Sequence, residues 1–471
     1  MLAVVVSRAD SASVHVGERL RDVADWTEHT DGSRPDAHGG GTVYRTDAVE
    51  LREFDDLHLN LEDAGDAFGR VDDEGAVRDP DLLVFASRHA GETDELLTAH
   101  PTGNFGPAEY GGETGHFSRA CPKAHSRVVE ALEAHAPPGY EVGVECTHHG
   151  PTAVGVPSMF VEVGSDEPQW EDSDAAEAVA RAILELRDVA PDAPPENGRR
   201  RHLVGFGGGH YAPRFERIVR ETDWGVGHVA ADWCLDAMGD PDANRDVIRR
   251  AFEASAADYG VVEGDRPDLK RVVADLGYRV VSETWVRETA GVPLALVDAV
   301  EDRLTGVDEG VRFGDRATEY DRGVDPGELG PDLSVADLPE ELVDAAQGVD
   351  HEATLAAVEA ATVAYETTEG GTRLGSRAVV DADHDADALV DELAAVLEAR
   401  YETVEREGDD LVARETAFDP DRARTLGIPD GPKFGKLSQG EAVTVDGDRI
   451  DPSVVHVDRE HRFSVADLVS E

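Results

Sequence analysis

Short apolar runs recur along the first part of the chain, each stopped by polar or glycine residues. They lie at 2–6, 82–86, 141–145, 159–163, 202–206 and 278–282, and their length and β-branched content predict strands. Between them apolar residues return at three- and four-residue spacing. Ala178, Ile183, Leu184 and Leu186 predict a helix over 174–187; Leu269, Val272, Val273 and Leu276 predict another over 267–276. Strands alternating with helices predict an α/β fold, a largely parallel sheet with helices on both faces. Residues 31–42, rich in Gly, Asp and His, predict a loop. Residues 188–201, with Pro191, Pro194, Pro195 and Asn197-Gly198, predict a connector.

Near 305 the texture changes. Residues 306–340 are dense in Gly, Asp and Pro, with little periodicity, and predict a linker. Helical patterns at 353–366 and 386–404 and a small β unit at 437–457 predict a smaller α+β accessory extension over 341–471. The length of 471 residues allows two or three domains and a sizeable core. Fourteen of the eighteen histidines precede residue 306, so the catalytic domain is expected in 1–305.

Charge bears on the solvent more than on the substrate. The net charge is −56, from 100 Asp+Glu against 44 Lys+Arg, and only Lys123, Lys270, Lys433 and Lys436 are lysines. An acidic excess spread along the whole chain resembles the proteins of salt-accumulating halophiles, in which a Debye length of about 3 Å screens the self-repulsion. The three cysteines, Cys121, Cys146 and Cys234, lie far apart with no C-x-x-C pair, which excludes a zinc ribbon and argues against a disulfide framework. The apolar stretch Leu2–Val6 is short and soon meets Arg8 and Asp10, so it predicts a first strand and no signal peptide. No apolar run reaches about twenty residues. A soluble, cytoplasmic protein without a membrane span is expected.

The chemistry concentrates where strands end. Glu145-Cys146-Thr147-His148-His149-Gly150-Pro151-Thr152 follows one apolar run, Ser87-Arg88-His89 a second, and Gly207-Gly208-Gly209-His210-Tyr211 a third. Open α/β folds bind ligands at one sheet edge, so a shared site built from several loops is expected there. Neutral imidazole binds zinc and titrates near neutrality, yet no H-E-x-x-H or H-x-H spacing is present, and a metal site would have to be assembled from distant loops. The glycine run lets a backbone approach a ligand and its amides can hold an anion, but it is neither a dinucleotide fingerprint nor a Walker loop. Thr98-Ala99-His100-Pro101-Thr102-Gly103-Asn104 offers hydroxyl, amide and imidazole donors suited to a phosphate, a ribose or an oxyanion. No G-x-S-x-G elbow occurs, and Cys146 with His148, two apart, is a poor covalent pair.

These segments, with Val156-Pro157-Ser158-Met159-Phe160-Val161-Glu162-Val163-Gly164-Ser165 and Gly227-His228, come in an order that resembles the archaeal and plant type of D-aminoacyl-tRNA deacylase (D-tyrosyl-tRNA deacylase), over residues 1–285. Cys146 stands where a small residue such as alanine is expected. The resemblance implies a fold like peptidyl-tRNA hydrolase and the nucleoside phosphorylases. It also implies hydrolysis of the ester between a D-amino acid and the tRNA 3′ end, L-esters spared by sterics, with zinc as cofactor. His148, His149 and His210 are the implied metal ligands or base, and Glu145 the orienting or base group. Ser87, Arg88, His89, His100, Thr102, Gly103, Asn104, Thr147, Gly208, Gly209, Tyr211 and His228 are the implied substrate-binding residues. The implied partner is the acceptor 3′ end of D-aminoacyl-tRNA, and a monomer is expected.

Three rivals stand beside it: a related zinc hydrolase or peptidyl-tRNA hydrolase, a tRNA-binding module without catalysis, and a nucleoside phosphorylase. The histidine density argues against the module, since phosphate contacts call for Arg and Lys. In the tail, Leu426–Gly440 resembles a short Gly-Pro loop of the tRNA 3′-processing endonuclease, and its Lys433 and Lys436 are expected to help hold the acceptor end.

Overall fold

The structure, a computed structural model, describes residues 1–71, 77–324, 333–381, 386–428, 430–445 and 447–466. The chain divides into two compact units, Met1–Gly291 and Val292–Glu471.

In the first unit the strands are β1 (Leu2–Ser7), β2 (Thr27–Asp31), β3 (Gly41–Arg45), β4 (Val49–Phe54), the short ribbon β5 (Arg70–Val71) and β6 (Val77–Arg78), β7 (Leu82–Arg88), β8 (Leu96–His100), β9 (Glu141–Val144) and β10 (Ser158–Gly164). Eight of them form one sheet in the order β2-β3-β4-β1-β7-β10-β8-β9. Pairing is parallel from β4 through β1 and β7 to β10, then β8 runs antiparallel to β10 and β9 parallel to β8. A separate all-parallel sheet has the order β12-β11-β13-β14, from β11 (His202–Phe206), β12 (Gly225–Ala230), β13 (Tyr259–Val262) and β14 (Arg279–Val281). The single sheet expected from the sequence is thus two. Apolar runs specify a strand and leave its neighbour unspecified, and Leu96–His100, Gly225–Ala230 and Tyr259–Val262 are not among the expected runs.

Side-chain alternation sends β1 to two cores. Val4 and Val6 pack with Val16 and Leu20 of α1 (Ser11–Val23), Val128 of α2 (Pro122–His135) and, beyond the one-turn α3 (Glu167–Trp170), Ile183 of α4 (Ser173–Leu184). Ala3 and Val5 face the other way, onto Phe54, Phe68, Phe85, Phe160 and Val154. That second face is covered by irregular chain, with the single turns His58–Asn60 and Ala64–Ala67, and not by the helices expected on both faces. The thinner cover leaves room for a cavity there.

The four-stranded sheet carries α5 (Pro213–Glu221), α6 (Asp232–Met238), α7 (Arg245–Ser255) and α8 (Pro267–Asp275) between or after its strands. Backbone bonds from Cys146 N–H to His210 O (2.7 Å) and from Thr147 N–H to Val229 O (2.8 Å) tie the end of β9 to the loops after β11 and to β12.

The second unit begins earlier than the boundary expected at 305. The helix Leu294–Arg303 belongs to it, and its Glu301 carboxylate accepts from Val307 N–H at 3.2 Å. The expected linker 306–340 contributes β15 (Val311–Phe313) and β16 (Leu333–Asp337) to an antiparallel sheet with β17 (Ala364–Thr368) and β18 (Arg373–Asp381). Strands this short among Gly and Asp leave no readable period, and residues 325–332 lie outside the described residues. β19 (Thr403–Glu407), β20 (Asp410–Phe418) and β23 (His456–Ser464) form a three-stranded sheet, with a β21–β22 hairpin (Val443–Val445, Asp448–Ile450) beside them in sequence. In the Gly-Pro segment Pro432–Ser438 is helical, and Lys433 Nζ donates to Thr444 O at 2.7 Å, which spends that lysine on the fold; Pro429 and Asp446 lie outside the described residues. Among the described residues no helix is long and apolar enough to cross a membrane.

The strand that leads into the glycine run depends on one small residue. A Cβ on Gly205 would come within 2.6 Å of the Phe215 ring on α5. Gly205→Ala is expected to lower stability by about 1–3 kcal/mol through overpacking, read as a lower denaturant midpoint, and Phe215→Leu in the same chain is expected to recover part of the loss.

Candidate functional site

Glu145 has no exposed surface. A lone carboxylate in such a place would not ionise, so its neighbours decide its state. His210 Nε2–H donates to its Oε2 at 2.8 Å, His89 Nδ1 stands 3.1 Å from Oε1, and His148 Nε2 lies 3.8 Å from Oε2. Burial by itself raises this carboxyl; the bonds from His210 and then His89 overcome it and hold the group well below the usual carboxylate range. On His89, burial works against the charged form and Glu145 more than offsets it, so that imidazole is raised. Its other nitrogen meets Tyr211 Oη at 3.1 Å.

A second carboxylate comes from the middle of β10. Glu162 is buried, 3.9 Å from His89 Nδ1 and 3.8 Å from His100 Nε2. Burial first, and the nearby Glu145 charge second, push it well above the ordinary range, so this group keeps its proton. The sequence reading passed over Glu162. Its signal was an acid inside the otherwise apolar run Ser158–Gly164, where nothing but a satisfied or functional carboxyl belongs.

Three further imidazoles pack against one another. His100 stacks on His148 with centroids 4.4 Å apart, and His149 lies 4.4 Å from His148 and 5.0 Å from His100. In each ring Nδ1–H donates to a backbone carbonyl: His100 to Pro101 O (3.2 Å), His148 to Cys146 O (2.9 Å) and His149 to Gly150 O (2.6 Å). That fixes the tautomer and leaves the lone pair on Nε2. His100 Nε2 is buried with no hydrogen-bond partner. Burial first, and then repulsion from neighbouring imidazoles, lower all three, His210 and His89 acting on His100 and His100 acting on His148 and on His149, which falls to about 3. His149 also holds a left-handed backbone (φ 48°), with its carbonyl accepting from Gly103 N–H at 2.9 Å.

Among the described residues, three sets bring metal-binding atoms within 4.8 Å of one another: His100–His148–His149, Cys146–His148–His210 and His89–Glu145–Glu162. The geometry therefore groups His148 and His149 with His100, while His210 turns to Glu145. Only the first set consists of neutral imidazoles with anchored Nδ1–H and open Nε2, which is the arrangement that suits a metal ligand. The Cys146 thiol is less suited. Its hydrogen bond with Cys234, then its burial, lift it far above the ordinary thiol range.

A cavity of about 600 Å³ opens over this cluster. Ser87, Arg88, His89, Gly103, Asn104, Thr147, His148, His149 and His210 line it, together with Glu162 and Phe160 from mid-strand. The expected edge site is thus a site on the sheet face. β8 and β9 run against β7 and β10, so their ends cannot meet at one edge, and their loops converge over β10 instead.

Other expected residues lie behind the wall. Thr102 Oγ1–H donates to Pro151 O at 2.8 Å. His228 is fully buried, with Nε2–H on Ser118 O (2.9 Å) and Nδ1 on Thr147 Oγ1 (3.1 Å), and burial lowers it to about 4; it is a structural histidine. Gly207 and Gly208 take positive φ (99° and 85°), as the run suggested, but Gly208 N–H is spent on Asp232 Oδ1 at 3.0 Å, and neither Gly208 nor Gly209 lines the cavity. Ser13, His58 and Asp10 mimic a hydrolase triad, with Ser13 Oγ 3.2 Å from His58 Nε2 and His58 Nδ1 3.9 Å from Asp10. Ser13 is fully buried and donates to Ala86 O, so it is no nucleophile.

Fold and site together define an α/β protein whose cavity gathers imidazoles and carboxyls suited to moving protons or holding a metal. Comparison with known proteins makes this specific. The D-aminoacyl-tRNA deacylase family pattern matches residues 76–281. The D-aminoacyl-tRNA deacylase of Haloarcula marismortui is 60% identical over 469 residues, 99% of this chain and 100% of that protein. Those of Halorubrum lacusprofundi (55% over 487 residues, 99% and 97%) and Natronomonas pharaonis (53% over 463 residues, 98% and 100%) are also similar end to end. The chain belongs to the D-aminoacyl-tRNA deacylase family, in its halophilic form. The full-length matches show that these relatives share the second unit. A crystal structure described as a conserved protein of unknown function aligns with a TM-score of 0.52 and 27% identity, covering 62% of this chain and 98% of that one.

All three cysteines are buried. Ellman's reagent is expected to titrate none of them in the native protein and all of them after denaturation; rapid native labelling of Cys146 would overturn this placement.

Proposed function

We propose that this chain hydrolyses the ester between a D-amino acid and the 3′-terminal ribose of tRNA, and leaves L-esters intact. The observation that carries the reading is the ionised, fully buried Glu145 bridging His89 and His210, behind a cavity that His89, His148, His149 and His210 line, in a chain similar end to end to proteins of that name. The oxygen of water bonds to the acyl carbon, the bond from that carbon to the ribose oxygen breaks, and the ribose oxygen takes a proton. Free tRNA and a D-amino acid result.

Glu145 acts in this reading as the orienting group. It is turned to imidazoles on both oxygens and has no surface for substrate. With its Nε2–H held by Glu145, His210 is oriented at the cavity as the general base of this reading. Glu162, still protonated, can donate a hydrogen bond toward a developing oxyanion. His100, His148 and His149 fit zinc by donor type, tautomer and the orphaned His100 Nε2. Zinc held there would lower the pKa of a water towards about 7 and polarise the ester carbonyl. Discrimination between enantiomers is steric, at the α-carbon. The reading implies action in the cytoplasm, where aminoacyl-tRNA is used, and a first unit kin in fold to peptidyl-tRNA hydrolase and the nucleoside phosphorylases.

The test is matched hydrolysis of D-tyrosyl-tRNA and L-tyrosyl-tRNA in molar potassium chloride. Rapid loss of the D-ester with the L-ester spared is expected; equal rates would indicate a general esterase. Glu145→Gln is expected to lower kcat about 10–100-fold, the usual cost of losing a supporting carboxylate. Chelation is expected to abolish activity and zinc to restore it, with His100→Ala holding less zinc by elemental analysis; full activity after exhaustive chelation would remove the metal from the scheme.

A further inference from the structure

Folded proteins withdraw large aromatic side chains from water where they can. Among the described residues of the first unit, two large hydrophobic side chains stay out: Tyr110 is 69% exposed and Trp233 50%. They lie far apart in sequence, on the loop after β8 and in the first turn of α6, yet both border the histidine cavity. Isolated exposed side chains need no explanation; two aromatics converging on one cavity do.

Both are held on fixed backbone. The Tyr110 carbonyl accepts from Gly150 N–H at 2.9 Å, and the next carbonyl, Gly111, accepts from Asn104 Nδ2 at 3.0 Å. The same loop passes so close to α6 that a Cβ on Gly106 would lie 2.7 Å from that of Ala237. Ala237 is one turn beyond Trp233 on that helix. The Trp233 ring lies nearly parallel to His210, at 25° with centroids 6.5 Å apart. Little ordering entropy remains to be lost when a flat ligand settles on these rings.

The cavity is poorly equipped for phosphates. Among its described lining residues Arg88 is the one permanent cation, against the carboxylates of Asp10 and Glu109. In a chain with net charge −56 suited to molar salt, counterion-driven attachment to a nucleic acid backbone would be weak in any case. Stacking of bases on aromatic faces suffers no such screening and tolerates any sequence.

We propose that Trp233 and Tyr110 form a stacking platform for the unpaired bases at the tRNA 3′ end, the terminal adenine among them. The proposal rests on the deacylase reading and adds to it how the nucleic acid is held. The ester hangs from the ribose of that terminal nucleoside, so a base stacked beside His210 keeps the carbonyl near the Glu145 cluster. Trp233 and Tyr110 are positioning residues in this scheme and take no part in the bond changes.

The experiment measures, in molar potassium chloride, the Kd of a 5′-labelled cytidine-cytidine-adenosine trinucleotide by fluorescence anisotropy, together with KM and kcat on D-tyrosyl-tRNA. Trp233→Ala and Tyr110→Ala are each expected to raise Kd and KM roughly tenfold, with a much smaller change in kcat. Trp233→Phe is expected to recover most of the loss, because it restores a stacking face. Unchanged Kd in both alanine variants would overturn the platform, as would a fall in kcat without a rise in KM. The two readings fail separately. A wild-type chain that binds the trinucleotide through Trp233 but hydrolyses no D-tyrosyl-tRNA keeps the platform and defeats the deacylase reading, and hydrolysis with an unresponsive Kd does the reverse.

Discussion

A carboxylate removed from water stays ionised only if fixed donors replace the water. Glu145 meets that condition with two imidazoles supplied by different parts of the first unit. His89 comes from the end of β7 in the eight-stranded sheet, His210 from the loop after β11 in the four-stranded one, and Glu145 follows β9. Neutralising one charge therefore requires both sheets to be in place. The backbone bonds of Cys146 and Thr147 to His210 and Val229 hold the same seam together.

The charge pattern of the rest of the cluster follows from that pair. With Glu145 ionised and His89 raised beside it, a second negative charge on Glu162 would be costly, and Glu162 keeps its proton. Burial and neighbouring imidazoles disfavour the charged form of His100, His148 and His149, so they stay neutral with open Nε2 atoms. One cluster then holds an anion, a favoured cation, a protonated acid and three neutral lone-pair donors. Molar salt, which screens the acidic surface, reaches these buried pairs far less, so a halophilic exterior and an ordinary hydrolytic interior can coexist.

Much of this was legible in the residues. The apolar runs at 2–6, 82–86, 159–163 and 202–206 are strands within a residue or two of their expected ends, and the helices at 174–187 and 267–276 form where the spacing put them. The motifs around His89, His148 and His210 were sufficient to suggest the family, and end-to-end similarity to its members establishes it. The site was legible in outline. Histidine at strand ends marked the right loops, while Glu162 was given no role and Trp233 and Tyr110 went unremarked, because an acid in a strand or a lone aromatic is ordinary until burial is known.

Sequence alone determined which segments are strands and helices, because local periodicity decides that, and which residue types carry the chemistry. It also determined the acidic exterior. Tertiary structure decided the rest: that one expected sheet is two, that β8 opposes β10, that a presumed linker supplies strands, and that His100 joins His148 and His149 while His210 turns to Glu145. It also made His228 and Thr102 structural and put Gly208 to work on Asp232. The physical reason is common to all of these. Strand pairing, burial and charge compensation are relations between residues far apart in the chain, and no local pattern encodes which distant partner each will meet.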